Sequence, residues 1–164
     1  MIRIHNVLVA TDFSEPSEAA LNYGRELART FSATLHLLHV ADNVYLQFGG
    51  EAYMGVLPEL QHDIEAAARA HLDGVLDEED RTALRAKPVV ITAIGKPAAI
   101  VDYAKENAID LIVMGTHGRG AVGHVLMGSV AERVVRTAPC PVLTVHHPER
   151  EFVLPDALVA VAKN

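Results

Sequence analysis

The chain has 164 residues, half of them hydrophobic and none of them Trp, a composition that suits one domain with an aliphatic α/β core. Its formal net charge of −7 argues against nucleic-acid binding, because phosphate backbones are bound by clustered Lys and Arg. No uncharged apolar run approaches the ~18 residues of a membrane span, and the first residues lack a signal-peptide layout. We therefore expect a cytoplasmic protein with no membrane contact, in which the single cysteine, Cys140, is a buried structural thiol.

The first predicted strand covers residues 2–10, and its second half is continuously apolar, as expected when helices cover both faces of a sheet. The strand stops at Thr11 and Asp12, after which Ser14 can cap a helix and Pro16 fits the first turn. Apolar residues at three- and four-residue spacing predict the buried face of this helix: Ala20, Tyr23, Leu27 and Phe31.

A second predicted strand, residues 34–40, leads into the least regular part of the chain, residues 43–57. That stretch contains three glycines and three aromatic residues, and we interpret it as a long loop or mobile lid. An amphipathic helix is predicted to begin near Pro58, and the sequence leaves its end open. The run of like charge at residues 77–80 predicts a solvated face or loop.

The second half of the chain repeats the strand–helix alternation. Pro97 and Val130 mark the starts of two more helices, and three further strands are predicted at residues 88–94, 109–114 and 141–145. Prolines flanking the last strand favour an edge position in the sheet. Residues 148–164 suit either a short helix or an arm that packs on a partner subunit, so we place the domain at residues 1–147.

Five strands that alternate with helices predict an α/β fold with a doubly wound parallel sheet and helices on both faces. The common five-stranded version has the order 3-2-1-4-5, in which strands one and four are neighbours where the winding reverses. Ligands bind there, at the carboxyl ends of the strands. Asp12 ends strand one and Gly115 ends strand four, so the topology predicts that they meet in one pocket.

The loop after strand four is rich in glycine, with five glycines before the last predicted helix: Gly115, Gly118, Gly120, Gly123 and Gly128. Glycine permits positive φ or a close backbone approach, and a helix N-terminus presents unpaired N–H groups and a positive dipole end. Gly128 and Ser129 would therefore bind a phosphate. Ser129 would equally serve as a simple N-cap.

Three other side chains of the predicted pocket have two interpretations each. His117 and Arg119 would contact phosphate oxygens or face solvent. The Asp12 carboxylate suits a ribose hydroxyl or an adenine amino group, whereas its structural alternative is an Asx turn before the helix.

Other chemistries are disfavoured by spacing. Residues 118–123 formally match G-x-G-x-x-G, but in the fourth strand–helix turn rather than the first, and no acidic residue follows at a strand end. The P-loop lysine motif, zinc-binding spacings and a nucleophile elbow are all missing from the sequence. His36 and His39 lie three apart in a strand, so they point to opposite faces and cannot chelate a metal together.

The spacing Gly115-Thr-His-Gly118, nine residues, then Gly128-Ser129 resembles the G-2x-G-9x-G-[S/T] motif of ATP-binding universal stress proteins. The resemblance extends over residues 2–147. It includes the first strand with its terminal Asp12, the turn at residues 95–97 and the final strand at residues 140–145. It implies the adenine nucleotide alpha hydrolase-like version of the Rossmann-like fold.

The resemblance also implies roles for individual residues. Asp12 and Val40 match family residues that hold the adenosine part of ATP. Four others match those that cradle ribose and phosphates, namely Gly115, Gly118, Gly128 and Ser129, with Val130 contributing through its backbone. The candidate site is completed by neighbours of these positions: Thr11, Met114, His117 and Arg119.

At the level of function, the resemblance implies a stress-response regulator or sensor that binds ATP, with magnesium or manganese accompanying the triphosphate. It also implies a homodimer formed through the last strand, residues 141–145, with higher assembly left open. The enzymatic alternative is a slow Mg-dependent ATPase or phosphotransferase, although the sequence offers no convincing catalytic constellation.

Overall fold

The computed structural model describes residues 1–48, 55–116 and 127–146. Three predicted site residues, His117, Gly118 and Arg119, lie outside the described residues, as do residues 49–54 of the predicted lid and the 148–164 tail.

Eleven elements follow one another along the described chain. The strands are β1 (Asn6–Thr11), β2 (Thr34–Asp42), β3 (Lys87–Ala93), β4 (Leu111–Gly115) and β5 (Val142–Val145). The helices are α1 (Glu15–Phe31), α2 (Val44–Gln47), α3 (Leu57–Val75), α4 (Glu78–Thr82), α5 (Lys96–Glu106) and α6 (Ser129–Thr137). None of the helices in the described ranges combines the length and apolar character needed to cross a membrane.

The five strands form one parallel sheet in the order β3-β2-β1-β4-β5, which confirms the predicted fold. β1 is central, since Val7 pairs with Leu35 of β2 on one side and with Leu111 of β4 on the other. β5 is an edge strand, as the flanking prolines predicted. The first strand begins at Asn6 rather than at residue 2, because β2 and β4 begin opposite Asn6 and Val7.

Alternating side chains of the strands divide the core into two layers. Val7 and Val9 of β1 pack with α1 and α3, whereas Leu8 and Ala10 pack with α5 and α6. Both sheet faces are therefore covered by helices, which explains the continuous apolar runs in the central strands.

The prediction for the buried face of α1 is wrong in part. Tyr23 and Phe31 are 42% and 37% exposed, and the face that packs on the sheet consists of Ser17, Ala20, Leu21, Gly24 and Ala28. The physical reason is close packing: a methyl group built on Gly24 would lie less than 3.0 Å from Cγ2 of Val9. Small residues let the helix approach β1, so the larger apolar side chains lie at the margin of the contact.

The prediction of a solvated run at residues 77–80 is also wrong at one position. Asp80 is fully buried, and its carboxylate forms an ion pair with Arg25 of α1, with Nη2 2.7 Å from Oδ2. Asp77 and Asp80 also form a reciprocal capping box at the start of α4. The burial is possible because both carboxylate oxygens accept hydrogen bonds from the Arg25 guanidinium.

Candidate functional site

A cleft of about 780 Å³ lies at the carboxyl ends of the strands, where β1 and β4 are neighbours. The turn after β1, the ends of β2 and β4, and the first residues of α5 and α6 line it, and side chains of α3 close one side. Every predicted site residue in the described part of the chain lines this cleft: Thr11, Asp12, Val40, Met114, Gly115, Gly128, Ser129 and Val130. Sheet topology brings these residues together from four separate parts of the sequence.

The Asp12 carboxylate is oriented by an Asx turn. Its Oδ1 accepts a hydrogen bond from the Ser14 backbone N–H at 3.1 Å, and the Ser14 hydroxyl donates to the same oxygen. Ser14 does occupy the N-cap position of α1, but its side chain caps no helical N–H, so the predicted side-chain cap is wrong. A carboxylate has about four acceptor sites, so the turn and a contact to a ligand hydroxyl are compatible.

The residue after Asp12 anchors this turn through an aromatic stack. Phe13 has a left-handed backbone, with φ of 62°, and its N–H donates to Thr11 Oγ1 at 3.0 Å. Its ring lies between the imidazoles of His39 and His71, at centroid distances of 4.4 and 4.0 Å. His39 Nδ1 donates to the Thr11 carbonyl oxygen at 2.9 Å. The stack connects the turn to β2 and α3, and sequence spacing contains no signal that would have revealed it.

Gly115 is required by packing at the end of β4. A Cβ at this position would lie 2.9 Å from the carbonyl carbon and Cβ of Pro16. The first turn of α1 therefore explains the close approach predicted for this glycine. Gly115 also lines the cleft, because it is the last residue of β4. A larger residue here would push α1, and with it the Asp12 turn, away from β4.

The N-terminus of α6 forms the opposite wall of the cleft. Gly128 is the N-cap, and Ser129 is the first helical residue, so the alternative that Ser129 serves as the N-cap is wrong. Gly128 has φ of −70° and ψ of 154°, and its N–H donates to the Thr116 carbonyl oxygen at 2.6 Å. The first N–H groups of α6 have no partner within the helix and carry its positive dipole end, the arrangement that binds anions.

A third wall, where β2 and β3 end, was not identified from the sequence. Lys96, at the start of α5, forms an ion pair with Asp42 at the end of β2, with Nζ 2.9 Å from Oδ1. Gln61 of α3 is buried and donates to the Asp42 carbonyl oxygen at 3.3 Å, while its Oε1 accepts from the Val44 N–H at 3.0 Å. The end of β2 is thus held from both sides of the sheet. The sequence did contain one signal for this wall. A helix start was predicted directly after Gly95, and helices of this fold begin at the carboxyl edge of the sheet, where the cleft lies.

Other titratable groups lie away from the cleft. His36 faces α5, with Nδ1 2.8 Å from the Tyr103 hydroxyl, and burial together with the nearby Lys87 lowers its pKa to about 4. It lies on the opposite sheet face from His39, as predicted. Cys140 is half-buried rather than buried, and its surroundings raise its thiol pKa, chiefly through burial. In the described ranges, no three His, Cys, Asp or Glu side chains are grouped to hold a metal ion.

Comparison with known proteins identifies related chains. Residues 3–146 match the Universal stress protein family. A relative, universal stress protein MJ0531 of Methanocaldococcus jannaschii, is 31% identical over 147 residues, covering 88% of this chain and 84% of the relative. The solved structure of universal stress protein UspA from Lactobacillus plantarum superposes with a TM-score of 0.73 at 32% identity, covering 88% of this chain and 99% of that one.

A more distant structure was solved with a bound nucleotide. The universal stress protein from Archaeoglobus fulgidus in complex with dAMP has a TM-score of 0.54 at 22% identity, covering 88% of this chain and 99% of that one. At this identity the likeness shows the shared fold alone.

Proposed function

Because the chain belongs to the universal stress protein family, we propose that it is a cytoplasmic ATP-binding regulator of the stress response. Nucleotide occupancy changes its conformation or its contacts with partners. The observation that carries the proposal is the cleft itself, which unites the Asp12 carboxylate at the end of β1 with the N-terminus of α6. An acceptor for ribose hydroxyls and a cradle for phosphates are the two things that a nucleotide requires of such a site.

In the proposed orientation of ATP, the phosphates lie at the N-terminus of α6 and the base lies toward β2. The backbone N–H groups of Ser129 and Val130 donate hydrogen bonds to phosphate oxygens, since these residues follow the N-cap Gly128 at the start of α6. Asp12 accepts from the ribose, and the apolar side chain of Val40 provides a surface for the base, while Met114 lines the cleft at the end of β4. We include His117, Gly118 and Arg119 as further phosphate contacts on the strength of the glycine motif.

The proposal extends to a divalent ion and to assembly. Magnesium or manganese would be bound chiefly by the phosphate oxygens, because hard cations of this kind often bind through substrate phosphates and water. A homodimer would form through β5, whose Leu143 is 36% exposed at the edge of the sheet. An edge strand presents unpaired backbone groups to a second copy.

Isothermal titration with MgATP tests the site directly. Gly128→Val places a branched side chain at the helix N-terminus, and we expect at least ~tenfold weaker ATP binding because phosphate approach is blocked. The backbone of Gly128 is extended, a conformation that valine adopts without backbone strain, so we expect the variant to fold. Gly74→Val is the matched control, since a Cβ there has no neighbour within 4 Å. Unchanged affinity in folded Gly128→Val would contradict the proposed site.

A regulator and an enzyme differ in turnover. With radiolabelled ATP and Mg²⁺, we expect the purified protein to release phosphate well below ~1 s⁻¹, the lower end of ordinary enzyme turnover. A faster rate that disappears in Gly128→Val would show that the cleft is catalytic and would refute the regulatory proposal.

A further inference from the structure

Phe13 follows Asp12 and has a backbone conformation that its residue type disfavours. Its φ of 62° lies in the left-handed region, which favours glycine over bulky side chains. Three other non-glycine residues of the described chain have a positive φ, but each follows the end of a helix, where such a residue commonly closes the last turn: Ser32, Arg85 and Ala108. Phe13 precedes a helix and lines the cleft, so helix termination does not explain its conformation. A disfavoured backbone persists where surrounding contacts hold it, and such positions are common at binding sites.

The left-handed residue shapes the turn that orients Asp12. The Ser14 N–H donates to Asp12 Oδ1 at 3.1 Å, so this hydrogen bond spans Phe13. The Phe13 N–H donates to Thr11 Oγ1 at 3.0 Å, so a second bond of the same length in residues spans Asp12. Both bonds require the chain to bend sharply at these two residues. A change in the φ of Phe13 would move Ser14 away from Asp12 and release its carboxylate.

Aromatic contacts hold the Phe13 side chain from two sides. His39 of β2 stacks on it with an interplanar angle of 24°, and His71 of α3 stacks on it with an angle of 10°. His39 Nδ1 also donates to the Thr11 carbonyl oxygen, so the β2 side of the stack is bonded to the turn itself. Stacked rings attract each other beyond the effect of their buried area. The ring therefore connects the Asp12 turn to a strand and to a helix that both line the cleft.

Building on the proposed function, we propose that Phe13 is a positioning residue for the nucleotide. Its stack between His39 and His71 holds the Asp12 carboxylate where it accepts from a ribose hydroxyl. A protein group that is already ordered gives higher affinity, because the cost of ordering it is not paid on binding. Glycine at position 13 would adopt the left-handed backbone more readily than phenylalanine, but it would leave the turn without its tether. The ring, and not the backbone alone, therefore determines the orientation of Asp12.

ATP and 2′,3′-dideoxy-ATP are the matched ligand pair for this test, because the analogue lacks both ribose hydroxyls that Asp12 can meet. In isothermal titration, we expect the wild type to bind ATP at least about tenfold more tightly than the analogue. Phe13→Gly adopts a φ of 62° without strain but removes the ring, so the ratio of the two affinities falls to about threefold or less. Phe13→Tyr retains a ring that stacks, and we expect it to keep the wild-type ratio.

Two histidines of α3 provide a second, matched comparison. His71→Leu removes the stack on the α3 side, and we expect a ratio between those of the wild type and Phe13→Gly. His62→Leu is the control, because His62 is also exposed on α3 but neither lines the cleft nor stacks on Phe13. Leucine is a good helix former and both positions are exposed, so we expect both variants to fold. His71→Leu carries the test if circular dichroism shows that Phe13→Gly does not fold.

The outcomes separate the role of Phe13 from the proposed function. A wild type that binds neither nucleotide refutes both proposals. Binding of ATP with a ratio near one refutes the contact of Asp12 to the ribose, and with it the role of Phe13, but leaves ATP binding intact. An unchanged ratio in Phe13→Gly would show that the left-handed backbone suffices. An equal loss of both nucleotides in that variant would show instead that the ring contacts the nucleotide itself, and either result overturns the positioning role.

Discussion

The packing of α1 against the central strand makes a sharp prediction about Gly24. A methyl group at Gly24 would lie less than 3.0 Å from Cγ2 of Val9, a fully buried and stiff β-branched side chain. We expect overpacking of this kind to cost about 1–3 kcal/mol in Gly24→Ala. Replacing glycine by alanine inside a helix also gains up to about 1 kcal/mol of helix propensity, which partly hides the packing cost.

Gly74→Ala separates the two contributions. Gly74 lies in the last turn of α3, and a Cβ there has no neighbour within 4 Å, so this variant gains propensity without overpacking. Urea denaturation followed by far-UV circular dichroism should show Gly24→Ala less stable than Gly74→Ala by about 1–3 kcal/mol. For a domain of this size each kcal/mol corresponds to roughly 2–4 °C in Tm. Equal stability of the two variants would refute the close packing of α1 on β1.

Three further predictions follow from buried groups and close contacts. Asp80→Ala removes the buried partner of Arg25 and should lower the free energy of unfolding by ~3–5 kcal/mol in urea denaturation; a loss below ~1 kcal/mol would refute the importance of the pair. Gly115→Ala places a Cβ against the backbone of Pro16, so it should cost ~1–3 kcal/mol even without nucleotide, and full stability would refute the packing explanation. The pKa of His36 is lowered to about 4 in the fold, so the unfolded chain binds more protons, and the stability of the fold decreases as the pH falls from 6.5 toward 4. His36→Phe should reduce this pH dependence of Tm. An unchanged pH dependence of Tm in the variant would contradict the prediction.

The sheet and the position of the cleft were predictable from the sequence, because both follow from the short-range pattern of apolar and polar residues. Continuous apolar strands that alternate with helices determine a parallel sheet, and the preferred strand order then places Asp12 beside Gly115. Neither step needs a contact between particular side chains. The same pattern indicated the edge position of β5 through its flanking prolines.

The features that the sequence did not reveal depend on contacts between distant side chains. Asp80 looks like one member of an acidic surface run, and only its pairing with Arg25, 55 residues away, makes it a buried charge. The stack of Phe13 between two histidines depends on a left-handed backbone that hydrophobic periodicity does not encode. The pairing of Asp42 with Lys96 joins the ends of two elements that are neighbours only once the sheet forms.

Glycine shows why residue type alone does not determine role. The glycine-rich pattern predicted phosphate binding for the whole loop, yet Gly115 has a sufficient structural reason in its contact with Pro16. Gly128 has an ordinary extended backbone, so glycine is not needed there for a special conformation. Its role is to leave space for a ligand beside the N-terminus of α6. Site-directed changes at these two positions should therefore differ, with stability affected at Gly115 and nucleotide affinity at Gly128.

The central claim is that the cleft between Asp12 and the N-terminus of α6 holds an adenine nucleotide. Native mass spectrometry of freshly purified protein, before and after addition of MgATP, tests it most directly. We expect a mass increase equal to one adenine nucleotide per chain in the wild type and in Gly74→Val, and its loss in Gly128→Val. A wild-type protein that shows no such increase at saturating MgATP would contradict the account.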